Sequence, residues 1–175
     1  MASAAAVLAA VALEATRLPA QTVGEYDLKA AFLYKFAGFV EWPATSGNVP
    51  LCIGVAGKDP FGSALDEVVK GKSINGRAFR IERLKLGQES AGCQIVFISS
   101  SEKARLRSIL ERLRGSAVLT VGDTPGFCDM GGIINMELAG DHVRLQVNLE
   151  AAERAHLQLS SRLLSLSTIV RSAGQ

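Results

Sequence analysis

Three short apolar runs constrain this chain most: LCIGVAG (51–57), CQIVFIS (93–99) and AVLTV (117–121). None is interrupted by a charge, and each ends at or beside glycine or serine. That is how strands buried on both faces read. Segments of helical period lie between them. Asp59-Pro60 opens one that runs to about Val69 and stops at Gly71, because Asp caps a helix and Pro suits its first turn. Ser99 and Glu102 form a capping box for another. Its buried stripe is Leu106, Ile109, Leu110 and Leu113, and Gly115 is its C-cap.

Strands that alternate with helices pair in parallel through crossovers. RAFRIERL (77–84) alternates in polarity and reads as a half-exposed strand after a turn at 73–76. IINMEL (133–138) and HVRLQVNL (142–149) flank Ala-Gly-Asp, a hairpin signal. Residues 150–171 read as a closing helix with Leu159, Leu163, Leu166 and Val170 on one face. The expectation is one α/β domain over residues 25–171. It has three layers: a mixed, mostly parallel sheet with an antiparallel C-terminal hairpin at its edge, and helices on both faces. A chain of 175 residues suits one domain and buries a full core without metals.

The segment YDLKAAFLYKFAGFVEWP (26–43) holds six of the ten aromatic residues. It reads as a helix over 25–41 that Pro43 ends. Leu28, Phe32, Phe36 and Phe39 form a stripe suited to the sheet. Tyr26, Leu33 and Tyr34 lie off that stripe and are the candidates for an interface.

Charge excludes one class of partner. With 19 basic and 17 acidic residues the formal net charge is +2, too little to point to nucleic acid. At the N-terminus, AAAVLAAVAL (4–13) followed by Leu-Pro-Ala resembles an export signal cleaved after Ala20. It is too short to span a bilayer. Residues 1–20 are therefore set apart from the fold.

No catalytic set emerges. GVAGKDPFG (54–62) joins a strand to a helix, where phosphates often bind, but it is neither G-x-G-x-x-G nor a Walker loop. Asp59 puts a carboxylate where an anion would sit. GDTPGFCDMGG (122–132) carries Cys128, yet a nucleophilic thiol wants a base, and only His142 and His156 exist. The serines at 99–101 read as a helix cap, and EKARLRSILERLR (102–114) as a solvated helix face. The cysteines lack metal-ligand spacing. Catalytic residues, metal and cofactor are all expected to be absent.

Cys52 and Cys93 stand at the starts of two apolar strands. If those strands are parallel neighbours, the two thiols are within disulfide reach. The alternative is a pair of buried free thiols, and export favours the bond. Cys128 is then the free thiol.

The pieces KAAFLYKFAGFVEWP, LCIGVAGKDPFG and TVGDTPGFCDMGGIINMELAGDHVRLQVNLEAAERAHLQLSSRLLSLSTIV, in that order, resemble the YfiR family over nearly all of residues 25–171. The resemblance implies a small periplasmic α/β protein without enzymatic activity. It implies repression of an inner-membrane diguanylate cyclase through that enzyme's periplasmic sensor region. It further implies sequestration by an outer-membrane, peptidoglycan-associated lipoprotein, and homodimer formation. By motif, the family's first disulfide falls on Cys52 and Cys93. Its second pairs the cysteine at Cys128 with one a few residues later, and residues 131–138 hold none. Other readings are a periplasmic small-molecule sensor feeding a membrane kinase or cyclase, with a pocket at the glycine loops, and a thiol- or nucleotide-dependent enzyme.

Overall fold

This computed structural model describes residues 24–43, 49–85, 87, 88, 90 and 92–171. The expected export segment, residues 1–20, lies outside them. Helix α1 (Glu25–Phe39) runs into the two-residue strand β1 (Val40–Glu41). Strand β2 (Leu51–Ala56), helix α2 (Ala64–Val69) and the hairpin of β3 (Ser73–Ile74) with β4 (Arg77–Leu84) follow. Strand β5 (Ile95–Ile98) leads through a 3-10 segment (Ser100–Arg105) into helix α3 (Leu106–Leu113). Next come β6 (Leu119–Gly122), β7 (Ile134–Ala139) and β8 (His142–Asn148). The chain closes with α4 (Leu149–Arg154), β9 (Gln158–Leu159), α5 (Ser161–Ser165) and β10 (Ser167–Val170).

Eight strands form one sheet in the order β10-β8-β7-β6-β5-β2-β4-β3. Only β7–β8 and β3–β4 pair antiparallel. The remaining neighbours are parallel. The fold is thus mixed α/β with a mostly parallel sheet, as the strand–helix alternation requires. A separate small ribbon joins β1 to β9.

Alternation along the central strands creates two cores. Leu51, Ile53 and Val55 of β2, Ile95 and Phe97 of β5, and Leu119 and Val121 of β6 face one way. Helices α1, α2 and α5 pack on that side through Leu33, Phe36, Leu65, Val69 and Leu163. Cys52, Ala56, Val96 and Ile98 face the other way and meet Leu106, Ile109, Leu110 and Leu113 of α3. Both faces of the central strands are buried, which is why those strands read as unbroken apolar runs.

Three expectations need correction. The closing helix over 150–171 does not exist. Helix α4 ends where His156 adopts φ 57°, Ser160 accepts from the Leu163 N–H to start α5, and residues 167–170 extend as β10. The leucines share a helical spacing, but strand pairing with β8 and β-branched Thr168, Ile169 and Val170 override it. The hairpin β7–β8 forms as expected, yet β10, not β8, is the sheet edge. The turn at 73–76 is the tip of a hairpin: Asn75 and Gly76 take φ 51° and 76°, the geometry of a tight two-residue turn.

Candidate functional site

The aromatic helix is anchored by charge as well as by rings. Its buried face is Lys29, Ala30, Leu33, Phe36 and Ala37. Leu28, Phe32 and Phe39 are only half-buried, so the sheet-facing stripe is rotated from the one expected. Leu33 is fully buried and cannot serve as an interface residue, because α1 turns it into the main core.

Lys29 is almost wholly enclosed, and its Nζ lies 2.9 Å from Asp123 Oδ2 and 2.5 Å from Glu25 Oε1. Tyr26 donates its hydroxyl to the same Asp123 oxygen at 2.9 Å. Asp123 stands directly after β6, so this cluster ties α1 to the C-terminal end of the parallel sheet. Burial, then the neighbouring Asp123 carboxylate, pushes the Tyr26 hydroxyl well above its usual range. The Tyr26 ring packs edge-on against Phe61, which in turn meets Phe97. Tyr34 sits at the far side of α1, half-buried between the Phe79 ring and the Lys72 ammonium.

Cys52 and Cys93 are bonded, with Cα atoms 4.4 Å apart. Gln94 links the bond to its surroundings. The Gln94 side-chain oxygen accepts from the Cys52 N–H at 2.9 Å, and its backbone oxygen accepts from Trp42 Nε1 at 3.3 Å. Cys128 is a buried free thiol whose sulfur meets the carbonyl oxygens of Ile133 and Gln146. Burial pushes it up to about 12 from an ordinary 9.0. A thiol in that state is a poor nucleophile.

The two glycine loops are packing devices. Gly57 has φ +90°, and a Cβ there would lie 2.6 Å from Ser101 Oγ. Its neighbour Lys58 donates its N–H to the same hydroxyl at 2.9 Å. Asp59 is spent on the Phe61 N–H and on Arg83. In the second loop the fully buried Phe127 ring lies against both Gly122 and Gly132, where any side chain would collide with it. His142 is exposed at a hairpin tip beside Asp141, and Cys128 is interior. No group of three His, Cys, Asp or Glu residues among the described residues could hold a metal.

Sequence reasoning missed Lys29, Asp123 and Gln94. A lysine within an otherwise apolar helix face is a weak signal for a buried ion pair. The partner's position, beyond the sheet strand β6, could not be read from spacing.

A family model described as YfiR/HmsC-like matches residues 26–168. The chain belongs to the YfiR/HmsC-like family. The match spans both layers of helices and the sheet, from the aromatic helix into β10. This family is regulatory rather than catalytic and acts with a membrane partner, and membership points to a periplasmic regulator of cyclic-di-GMP signalling. No helix of the described residues is long and apolar enough to cross a membrane.

Proposed function

We propose that this YfiR/HmsC-like protein is exported by residues 1–20 and works in the periplasm as a domain over 25–171. There it represses an inner-membrane diguanylate cyclase through that enzyme's periplasmic sensor region and lowers cyclic-di-GMP. The observation that carries this reading is the family match over residues 26–168. The Cys52–Cys93 bond supports it, since disulfides persist in oxidising compartments. The buried, raised Cys128 thiol and the packed glycine loops support a binding role over catalysis. A homodimer and capture by an outer-membrane, peptidoglycan-associated lipoprotein belong to the same proposal.

Tyr34 and the edge of Tyr26 are the interface candidates that remain on α1. Both are half-buried, so each keeps a surface for a partner. The test is co-purification from a cross-linked envelope fraction. Recovery of an inner-membrane cyclase, weakened by Tyr34→Ala, is the expected result. Recovery of no membrane sensor protein would overturn the reading.

A further inference from the structure

An apolar row crosses the sheet and stops at an open edge. Val55 of β2 is in register with Phe97 of β5, and Phe97 with Val121 of β6. Val121 is in register with Ile134, Ile134 with Val147, and Val147 with Ile169 of β10. Residues in register on neighbouring strands point to the same face. The first five are fully buried in the main core, whereas Ile169 is 46% exposed because no strand lies beyond β10. Four large apolar side chains are exposed among the described residues: Val49, Leu138, Leu166 and Ile169. Three of them gather at this end of the sheet, with Leu166 directly before β10 and Leu138 on β7.

β10 is built to pair. Its sequence, Ser-Thr-Ile-Val, is uncharged and β-branched at three positions. One side is bonded to β8 without a bulge, and no described residue pairs with the other. Edges that stay single are blunted by lysine, proline or bulges, and β10 has none of these. The opposite edge of the sheet, β3, is only two residues long. Head-to-tail stacking of copies, which would give an open filament, therefore lacks a matching surface. β10 is matched by β10. Run antiparallel about a two-fold axis at Ile169, it sets Ile169 against Ile169, Thr168 against Val170 and Ser167 against Arg171. No like charges face each other, and the two arginines lie at opposite ends.

We propose that two copies of this chain join β10 to β10, antiparallel across a two-fold axis at Ile169. Their two eight-stranded sheets become one, and the apolar row runs through the axis from one copy into the other. The proposal rests on the homodimer put forward above and names its surface. It places that surface at the C-terminal edge of the sheet, away from Tyr26 and Tyr34 of α1, which stay open to a different partner.

The test is sedimentation equilibrium of the full chain and of Ile169→Lys. The native chain should be a dimer. Ile169→Lys sets two ammonium groups against each other at the axis and should weaken the dimer about tenfold or more. A second variant does not depend on how that one folds. Directly opposed Cα atoms of an antiparallel pair are about 4.5–5.5 Å apart, within disulfide reach. Ile169→Cys should therefore give a covalent dimer on mild oxidation. Val49→Cys, at the exposed apolar residue ahead of β2, should not, and the buried Cys128 adds no cross-link of its own. A monomeric native chain, a dimer unaltered in Ile169→Lys, or equal cross-linking of Ile169→Cys and Val49→Cys would each overturn the proposal. The first result removes the homodimer, and the other two move it to another surface. Repression of a cyclase is read separately, from cyclic-di-GMP in cells.

Discussion

Lys29 of the aromatic helix and Asp123 after strand β6 form a buried ion pair at 2.9 Å, across 94 positions of sequence. The pair fixes where α1 sits on the sheet. Removing one partner leaves Lys29 with only Glu25 of its own helix, or Asp123 with only the Tyr26 hydroxyl, and breaking a buried pair in this way costs up to about 3–5 kcal/mol. Lys29→Met and Asp123→Asn should each lower stability by that order in chemical denaturation. The double variant Lys29→Met/Asp123→Asn should cost clearly less than the two single losses together. Additive losses would show that the pair is not coupled.

The corrected face of α1 makes a second prediction. Leu33→Ala and Phe36→Ala remove fully buried side chains and should cost about 2–5 kcal/mol. Tyr34→Ala loses only a half-buried ring against Phe79, worth about 0.5–1.5 kcal/mol beyond its area. Its larger effect is expected on self-association or on partner binding, read by sedimentation and by the envelope pull-down.

Much of the sheet was legible in the sequence because its central strands are buried on both faces. Leu51 to Ala56 and Ile95 to Ile98 are apolar at every position but glycine, and their length suits a buried strand. The chain after Leu149 was not legible. Leu159, Leu163 and Leu166 fall at helical intervals, yet the structure buries Leu163 and leaves Leu166 exposed. The open edge of β8, invisible locally, takes residues 167–170 as a strand, and their β-branched side chains suit it. On α1, apolar residues lie nearly all round the helix, so periodicity could not choose the buried face. Lys29 and its distant partner made that choice.

The disulfide closes a loop of 41 positions. In the chain-entropy model this restrains the unfolded state by about 4 kcal/mol. Cys52→Ser/Cys93→Ser should lose stability of that order. Thiol titration without reductant should find no reactive thiol in the native protein and one, Cys128, after unfolding.

Cys128 also sets an alkaline limit. Burial raises its folded value to about 12 from 9.0, so the fold favours the neutral thiol. The stability this contributes is complete below pH 9.0 and falls as pH rises from there toward about 12. Unfolding free energy followed from pH 8 to pH 10 should drop more steeply in the native chain than in Cys128→Ala. Parallel curves would remove Cys128 as the cause.

Gly122 and Gly132 leave room for the Phe127 ring. Gly122→Ala or Gly132→Ala should destabilise by about 1–3 kcal/mol through overpacking. Combining either with Phe127→Leu should recover part of that loss, measured by thermal melting.

The proposed repression of a membrane diguanylate cyclase is tested most directly by the cellular content of cyclic-di-GMP. Cells lacking this protein should hold more of the nucleotide than the parent, and re-expression of the exported chain should restore the parental level. An unchanged level in the deletion strain, under conditions where the protein is normally present, would contradict the account.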